Sequence, residues 1–369
     1  LTSHQSDSQG RSKKINFVEK DDMKKKLSRR DFMKIGAVGT LGVAAVTAMQ
    51  SPSPTVHSAA QQPTPTPNAH NDQDSHIEHG GNMAVGDVDT KFFDPMQYLT
   101  HFDYGKVSKI PNGQTLREWD VFAVDKEIEI APGIFFPAWA YGLKDHVPQV
   151  PGPTFRCTEG DRLRFNFSNG SAHPHTIHFH GIHPPNMDGF TPVLKSGERF
   201  TYEFDAKPYG LHLYHCHTPP LKRHLHKGLY GTFIIDPPAP RAPAKEFVMM
   251  MNGFDTNFDG ENEVYAVNTV AFHYAKHPIQ VKVGELIRLY LVNITEFDPI
   301  NSLHLHAAMF KLYRTGTQLD HYEYTDMVTM AQGERHILEF TLEYPGKHIF
   351  HAHQSELAEL GWMGFFEAQ

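Results

Sequence analysis

Gly160-Asp161-Arg162-Leu163-Arg164-Phe165-Asn166-Phe167 opens on a turn signal and then alternates polar with apolar residues. Successive side chains of a strand point to opposite faces, so this run reads as a half-buried β-strand. Similar wording returns as Gly284-Glu285-Leu286-Ile287-Arg288-Leu289. Around the two copies stand other short strand-like runs, among them Trp119–Val124, Phe200–Phe204, Ile279–Val283 and Ile337–Phe340, separated by Gly and Pro. Strands of this length and spacing predict an all-β chain of two β-sandwich domains, 87–238 and 239–369, meeting at Pro237-Pro238-Ala239-Pro240. The repeat argues for two copies of one fold.

Each half then carries two His-x-His pairs: His178-Phe179-His180 and His215-Cys216-His217 in the first, His304-Leu305-His306 and His351-Ala352-His353 in the second. Residues i and i+2 of a strand share a face, so every pair is a two-pronged imidazole clamp. Neutral imidazole suits copper, zinc, iron and nickel, while a thiolate with two imidazoles and a weak axial neighbour is the blue-copper set. A structural zinc site closes with four ligands and leaves most of these histidines unexplained.

The 369 residues include 26 histidines but only two cysteines. With Cys216 inside a clamp, Cys157 has no partner; it lies in a strand-like run and reads as a small core residue. The first fifty residues hold ten basic and five acidic side chains. The remaining 24 basic and 37 acidic residues give the rest of the chain a formal charge of −13, against −8 overall. No basic patch with interleaved aromatics appears, which excludes nucleic acid as a partner.

Ser28-Arg29-Arg30-Asp31-Phe32-Met33-Lys34, followed by an apolar run to Met49, reads as a twin-arginine export signal within residues 1–50. It places the mature protein in the periplasm or at the cell exterior of a prokaryote. Met23 before Lys24-Lys25-Lys26 is the expected natural start. Residues 51–86 read as a disordered linker rich in Pro, Ser, Thr, Gln and Asn, with His57, His70, His76 and His79.

Over roughly residues 110–369 the chain resembles the two-domain, laccase-like multicopper oxidases. The resemblance rests on His175-Thr176-Ile177-His178-Phe179-His180 and on His215-Cys216-His217 followed by His224 and, five positions on, Leu229. It implies two Greek-key sandwiches of the cupredoxin type and four coppers per protomer. His175, Cys216 and His224 would hold a type 1 copper, with Leu229 at its axial position. His178 and His304 would hold the type 2 copper. His180, His215, His217, His306, His351 and His353 would hold the type 3 pair. His226 rivals His224, but the family spacing to the axial residue favours His224. Ala352 replaces the cysteine in the second half, so type 1 copper is expected in the first domain only. The resemblance also implies a homotrimer with the clusters at subunit interfaces.

The function so expected is one-electron oxidation of a small reductant at the type 1 copper, coupled to four-electron reduction of dioxygen to water at a type 2/type 3 cluster. The reductant is a phenol, another aromatic or a metal ion, with a redox protein as a further option. Asp188, Glu356 and Glu359 are the expected proton carriers. Two rivals stand beside this expectation. A copper-containing nitrite reductase resembles the same architecture, but carries Asp-x-His where this chain has His178-x-His180 and a non-histidine at the place of His217. A cupredoxin-type electron carrier needs only the type 1 set.

Overall fold

The computed structural model describes residues 83–369. The export signal and the linker as far as residue 82 lie outside the described residues. Strand β5 (Arg162–Asn169) realises the alternation of its sequence, with Leu163, Phe165 and Phe167 buried between partly exposed neighbours. Each inward side chain contributes about 1.5–3 kcal/mol by leaving water. The outward Arg162 and Arg164 pair with Glu203 on β7 (Arg199–Asp205) at 3.1 and 2.8 Å. β2 (Thr115–Ala131) runs parallel to β5, β7 antiparallel to it, and β1 (Lys106–Lys109) and β3 (Ile134–Leu143) both pair with β2. A four-stranded sheet in the order β4 (Gly152–Thr158), β9 (Tyr230–Asp236), β8 (Gly210–His215), β6 (His178–Phe179) supplies the other layer. Between the layers lies a core that includes Trp119, Phe155, Phe165, Phe179, Tyr214 and Cys216.

The second half repeats the plan. One sheet runs β11 (Val264–Val267), β10 (Lys245–Phe254), β13 (Ile287–Asn293), β18 (Arg335–Phe340), β15 (Phe310–Arg314), β16 (Glu323–Thr325). The other runs β12 (Ile279–Val281), β20 (Met363–Ala368), β19 (Gly346–His351), β14 (Ile300–Leu305), β17 (Met327–Ala331). Parallel β2–β5 with antiparallel β7 is matched by parallel β10–β13 with antiparallel β18. Parallel β4–β9 followed by β8 and β6 is matched by parallel β12–β20 followed by β19 and β14. The protein is mostly β, built as two cupredoxin-like β-sandwiches.

The repeated motif does not behave identically in its two copies. β13 is buried along its whole length rather than on alternate residues. Its Ile287, Leu289 and Leu291 face the core of the second sandwich, while Tyr290 and Val292 enter a further core shared by both sandwiches. Met249-Met250-Met251 on β10 divides in the same way, Met250 into the shared core and its neighbours into the second sandwich. Cys157 is buried and free, as read from the sequence. No helix among the described residues is long and apolar enough to cross a membrane.

Candidate metal centre

The chain approaches the first site from three directions. His175 precedes β6, Cys216 follows β8, and His224 sits on the short helix Leu221–His226. All three are buried. Their donor atoms converge: Nδ1 of His175 and of His224 lie 3.2 Å apart, and Cys216 Sγ lies 3.2 Å from His224 Nδ1 and 3.9 Å from His175 Nδ1. Metal–nitrogen and metal–sulfur bonds of about 2.0–2.3 Å in a trigonal arrangement require ligand separations of about 3.5 Å. The donor set and its spacing therefore fit a type 1 copper. Burial, then the neighbouring His224, pushes His175 down to about 3, and burial with Arg223 and His173 pushes His224 down to about 4, so both imidazoles stay neutral and available. Burial pushes the Cys216 thiol up, against hydrogen bonds from Thr218 and Thr176, so a metal must displace its proton on binding. Leu229 is fully buried in the same core as Cys216, and its carbonyl accepts from the Cys216 N–H at 2.9 Å. His226 points elsewhere: its Nε2 accepts from the Asp255 N–H at 3.1 Å, so it takes no part in the triad.

One strand position away lies a group of histidines. In the antiparallel pairing of β6 with β8, His178 stands opposite His215. His180 Nε2 reaches to 3.2 Å from His215 Nε2, and the ligand atoms of His178, His180 and His215 all lie within 4.8 Å of one another. Their other nitrogens show how they are aimed. His178 Nδ1 contacts the Asp188 carbonyl at 2.6 Å and His215 Nδ1 the Cys216 carbonyl at 2.9 Å, which fixes these tautomers with Nε2 free for a metal. Burial, then His215, pushes His180 down to about 2, and burial holds His215 at about 4.

The second sandwich builds the same group again. His304 opposes His351 in register, their Nδ1 atoms contact the carbonyls of Asp326 and Ala352 at 3.0 and 2.7 Å, and His306 Nε2 lies 2.9 Å from His351 Nε2. His217 and His353 stand beside the two groups, ring centroids 5.3 Å from His178 and 5.5 Å from His304. Their backbone N–H groups donate to Thr176 Oγ1 and Ser302 Oγ at 3.1 and 2.8 Å.

Asp188 Oδ1 lies 3.3 Å from His178 Nδ1 and 3.9 Å from His183 Nε2, with its carboxylate partly open to solvent. Glu356 and Glu359 sit exposed on the helix Ser355–Glu359. Three participants escaped the sequence reading. His183 has no clamp spacing and joins Asp188 only through the turn after β6. Thr176, inside the quoted histidine motif, donates its backbone N–H to Cys216 Sγ at 3.4 Å. Trp139, on β3, packs its ring, tilted, 4.9 and 4.8 Å from the rings of His175 and His224; no local signal marks it, because the contact spans the fold.

Two adjoining models of the multicopper oxidase family match residues 147–240 and 240–369. A crystal structure of a multicopper oxidase is 52% identical, with a TM-score of 0.74, and the match covers 77% of this chain and all of that one. The copper nitrite reductase of Nitrosomonas europaea is 25% identical, with a TM-score of 0.62 over 69% of this chain and 94% of its own. The copper-containing nitrite reductase of Neisseria meningitidis is 27% identical over 252 residues, 62% of this chain and 63% of that protein. The chain spans less than two thirds of the length of the curated relatives first matched.

These findings correct the expected function, dioxygen reduction to water at a type 2/type 3 trinuclear cluster. Among the described residues the clamp histidines form two separate three-histidine groups, because each β-sheet closes its own pair of strands around its own group. Each group has ligands for a mononuclear ion; among the described residues of the single chain, ligands for four coppers do not converge. The long curated matches are nitrite reductases, whereas the curated laccase and copper-resistance proteins match over 24–28% of the chain. What the geometry and the comparisons share is a copper-binding oxidoreductase with a type-1-like triad in the first of two cupredoxin domains, and the chain belongs to the multicopper oxidase family.

Proposed function

We propose that the protein is a copper-containing nitrite reductase, converting nitrite, one electron and two protons into nitric oxide and water. The observation that carries this reading is the adjacency of Cys216 in the triad to His215 in a separate three-histidine group. Copper bound at these two places would supply the one-electron redox chemistry, taking up the electron at the triad and passing it to nitrite at His178, His180 and His215. Cys216 and His215 give that electron a route through one peptide unit. Trp139 and the surrounding core exclude water from the triad. At the other group, Asp188 places a carboxylate beside His178 and at the edge of solvent, where it can carry protons inward. Nitrite reductases by resemblance have an Asp at the position of His178; here Asp188 supplies the carboxylate from the following turn. The relatives named as nitrite reductases support the same assignment.

The test is anaerobic turnover with nitrite and a chemical reductant, with nitric oxide measured directly, and a separate aerobic assay without nitrite in which oxygen uptake is measured. Stoichiometric nitric oxide formation, with two or three coppers per protomer by metal analysis (one at the triad and one at either or both histidine groups), is the expected result. Oxygen consumption without nitric oxide formation overturns the assignment, and a reducible blue site that turns over neither would make the protein an electron carrier. Assembly as a homotrimer and export through the twin-arginine route to the periplasm belong to the same reading. A trimer-sized mass by light scattering, and loss of export in Arg29→Lys/Arg30→Lys, are the outcomes to look for.

A further inference from the structure

One edge of β8 carries a cation as well as histidines. Alternate residues of a strand share a face, so Leu211, Leu213 and His215 look the same way, and both leucines enter the core shared by the two sandwiches. Along this edge His178 pairs with His215, and the His180 N–H donates to the Leu213 carbonyl at 2.9 Å. The next carbonyl on the same edge, that of Leu211, is taken by the second sandwich. Arg335, at the head of β18, donates to it from Nε at 3.1 Å, and Ile337, on the same face of β18, packs into the shared core. Carbonyls two residues apart on a strand are separated by about 7 Å, so a guanidinium occupies the place beside His180.

That cation is uncompensated. Arg335 is partly buried and stands in no ion pair among the described residues. Its remaining hydrogen bond there is a long one, from Nη1 to the Gly333 carbonyl at 3.5 Å. A guanidinium has five N–H donors in a planar fork, so most of them are left over. The acid next to it in the chain, Glu334, accepts from the Ala331 N–H at 2.6 Å. Burial holds the guanidinium below its ordinary value against the pull of Glu334, and the Arg335 charge joins burial and His215 in pushing His180 down. The opposite end of the group carries the opposite sign, with Asp188 Oδ1 3.3 Å from His178 Nδ1. A half-buried cation without a partner is costly, and its planar fork matches an oxyanion.

We propose that Arg335 makes the group of His178, His180 and His215 selective for small anions, drawing a monovalent oxyanion towards the His180 side and away from Asp188. The inference deepens the nitrite reading and rests on it for the identity of the natural ligand. Arg335 acts as a positioning residue from the second sandwich: its charge steers the anion, and it exchanges neither electron nor proton. A neutral ligand gains nothing from it.

The test measures ligand binding without turnover. Oxidised, copper-loaded protein carrying His306→Ala, which disables the second group, is titrated with azide, nitrite and neutral imidazole, and the spin-resonance signal of its non-blue copper is followed. Adding Arg335→Gln should weaken azide and nitrite about tenfold and imidazole less than about twofold. Arg335→Lys keeps the charge and should stay within about threefold of the parent. An unaltered blue band is the check on folding; if Arg335→Gln fails it, Arg335→Met, which keeps the apolar stem in the seam, takes its place. Equal weakening of anionic and neutral ligands, no weakening at all, or a lysine variant as weak as the glutamine one overturns the proposal. Arg335-dependent azide binding in a protein that forms no nitric oxide would leave this inference standing and remove the nitrite assignment. Nitric oxide formation with anion binding indifferent to Arg335 would do the reverse.

Discussion

At the scale of single residues, Cys216 has the most specific role. Its sulfur lies within 4 Å of both His175 and His224 Nδ1, while its carbonyl holds the ring of His215. Cys216→Ser keeps the backbone contacts and removes the thiolate. The expected outcome is loss of the intense blue charge-transfer band, with copper at the histidine groups retained; a surviving blue band in the optical spectrum would refute the triad. Gly189 is equally constrained for a steric reason. Its φ is +81°, and a Cβ there would collide with the Ile177 carbonyl. Gly189→Ala should therefore cost about 3 kcal/mol from the left-handed backbone and the forced displacement together, read as a lowered denaturation midpoint. Since Asp188 is its neighbour, copper affinity at His178 should fall with it.

The elements decide which histidines meet. A clamp on one strand supplies two imidazoles, and the antiparallel partner strand supplies the next. β6 with β8, and β14 with β19, each close a group in this way. The triad is made differently, from residues just outside strand ends and from a single helical turn. That turn also sends its two histidines apart, His224 inward to the sulfur and His226 towards the loop after β10. The spacing of His224 and His226 from Cys216, eight and ten residues, does not by itself show this, because Leu225 between them packs into the shared core and turns the two side chains apart.

Across the whole molecule, the sandwiches are joined by apolar packing and by one charged network. Arg156 on β4 pairs with Asp236 and with Glu246 on β10 at 2.8 and 2.7 Å, and Arg288 on β13 pairs with Glu246 and Glu339 at 3.0 and 2.7 Å. Burial by itself would raise the Glu246 carboxyl, but hydrogen bonds from Arg156, Tyr290 and Arg288 and the Arg156 charge outweigh it and bring the group down to about 2. Its unfolded value lies near 4.5. The stabilisation is thus complete above the unfolded value and is lost as pH falls through about 2, with a magnitude of about 3 kcal/mol. Glu246→Gln should lower stability by about 3 kcal/mol at neutral pH and flatten the acid limb of a thermal-melting profile between pH 5 and 2. An unchanged acid limb would place the loss elsewhere.

The sequence by itself determined the strand class, the duplication and the identity of the donor atoms. Period-two alternation, turn residues and the His-x-His spacing are local properties, and a strand imposes them wherever it packs. Through the resemblance to the multicopper oxidases, His175, Cys216 and His224 were also legible as a triad, and so was the loss of its counterpart at Ala352. The tertiary structure alone decided how the clamps group and what surrounds them. The sequence places two clamps in each half but not how their imidazoles group; sheet pairing gathers the described ones into one group in each sandwich. Trp139 and His183 reach their places only where β3 and the turn after β6 meet the histidines. Such contacts depend on packing between segments far apart in the chain, for which no local spacing rule exists.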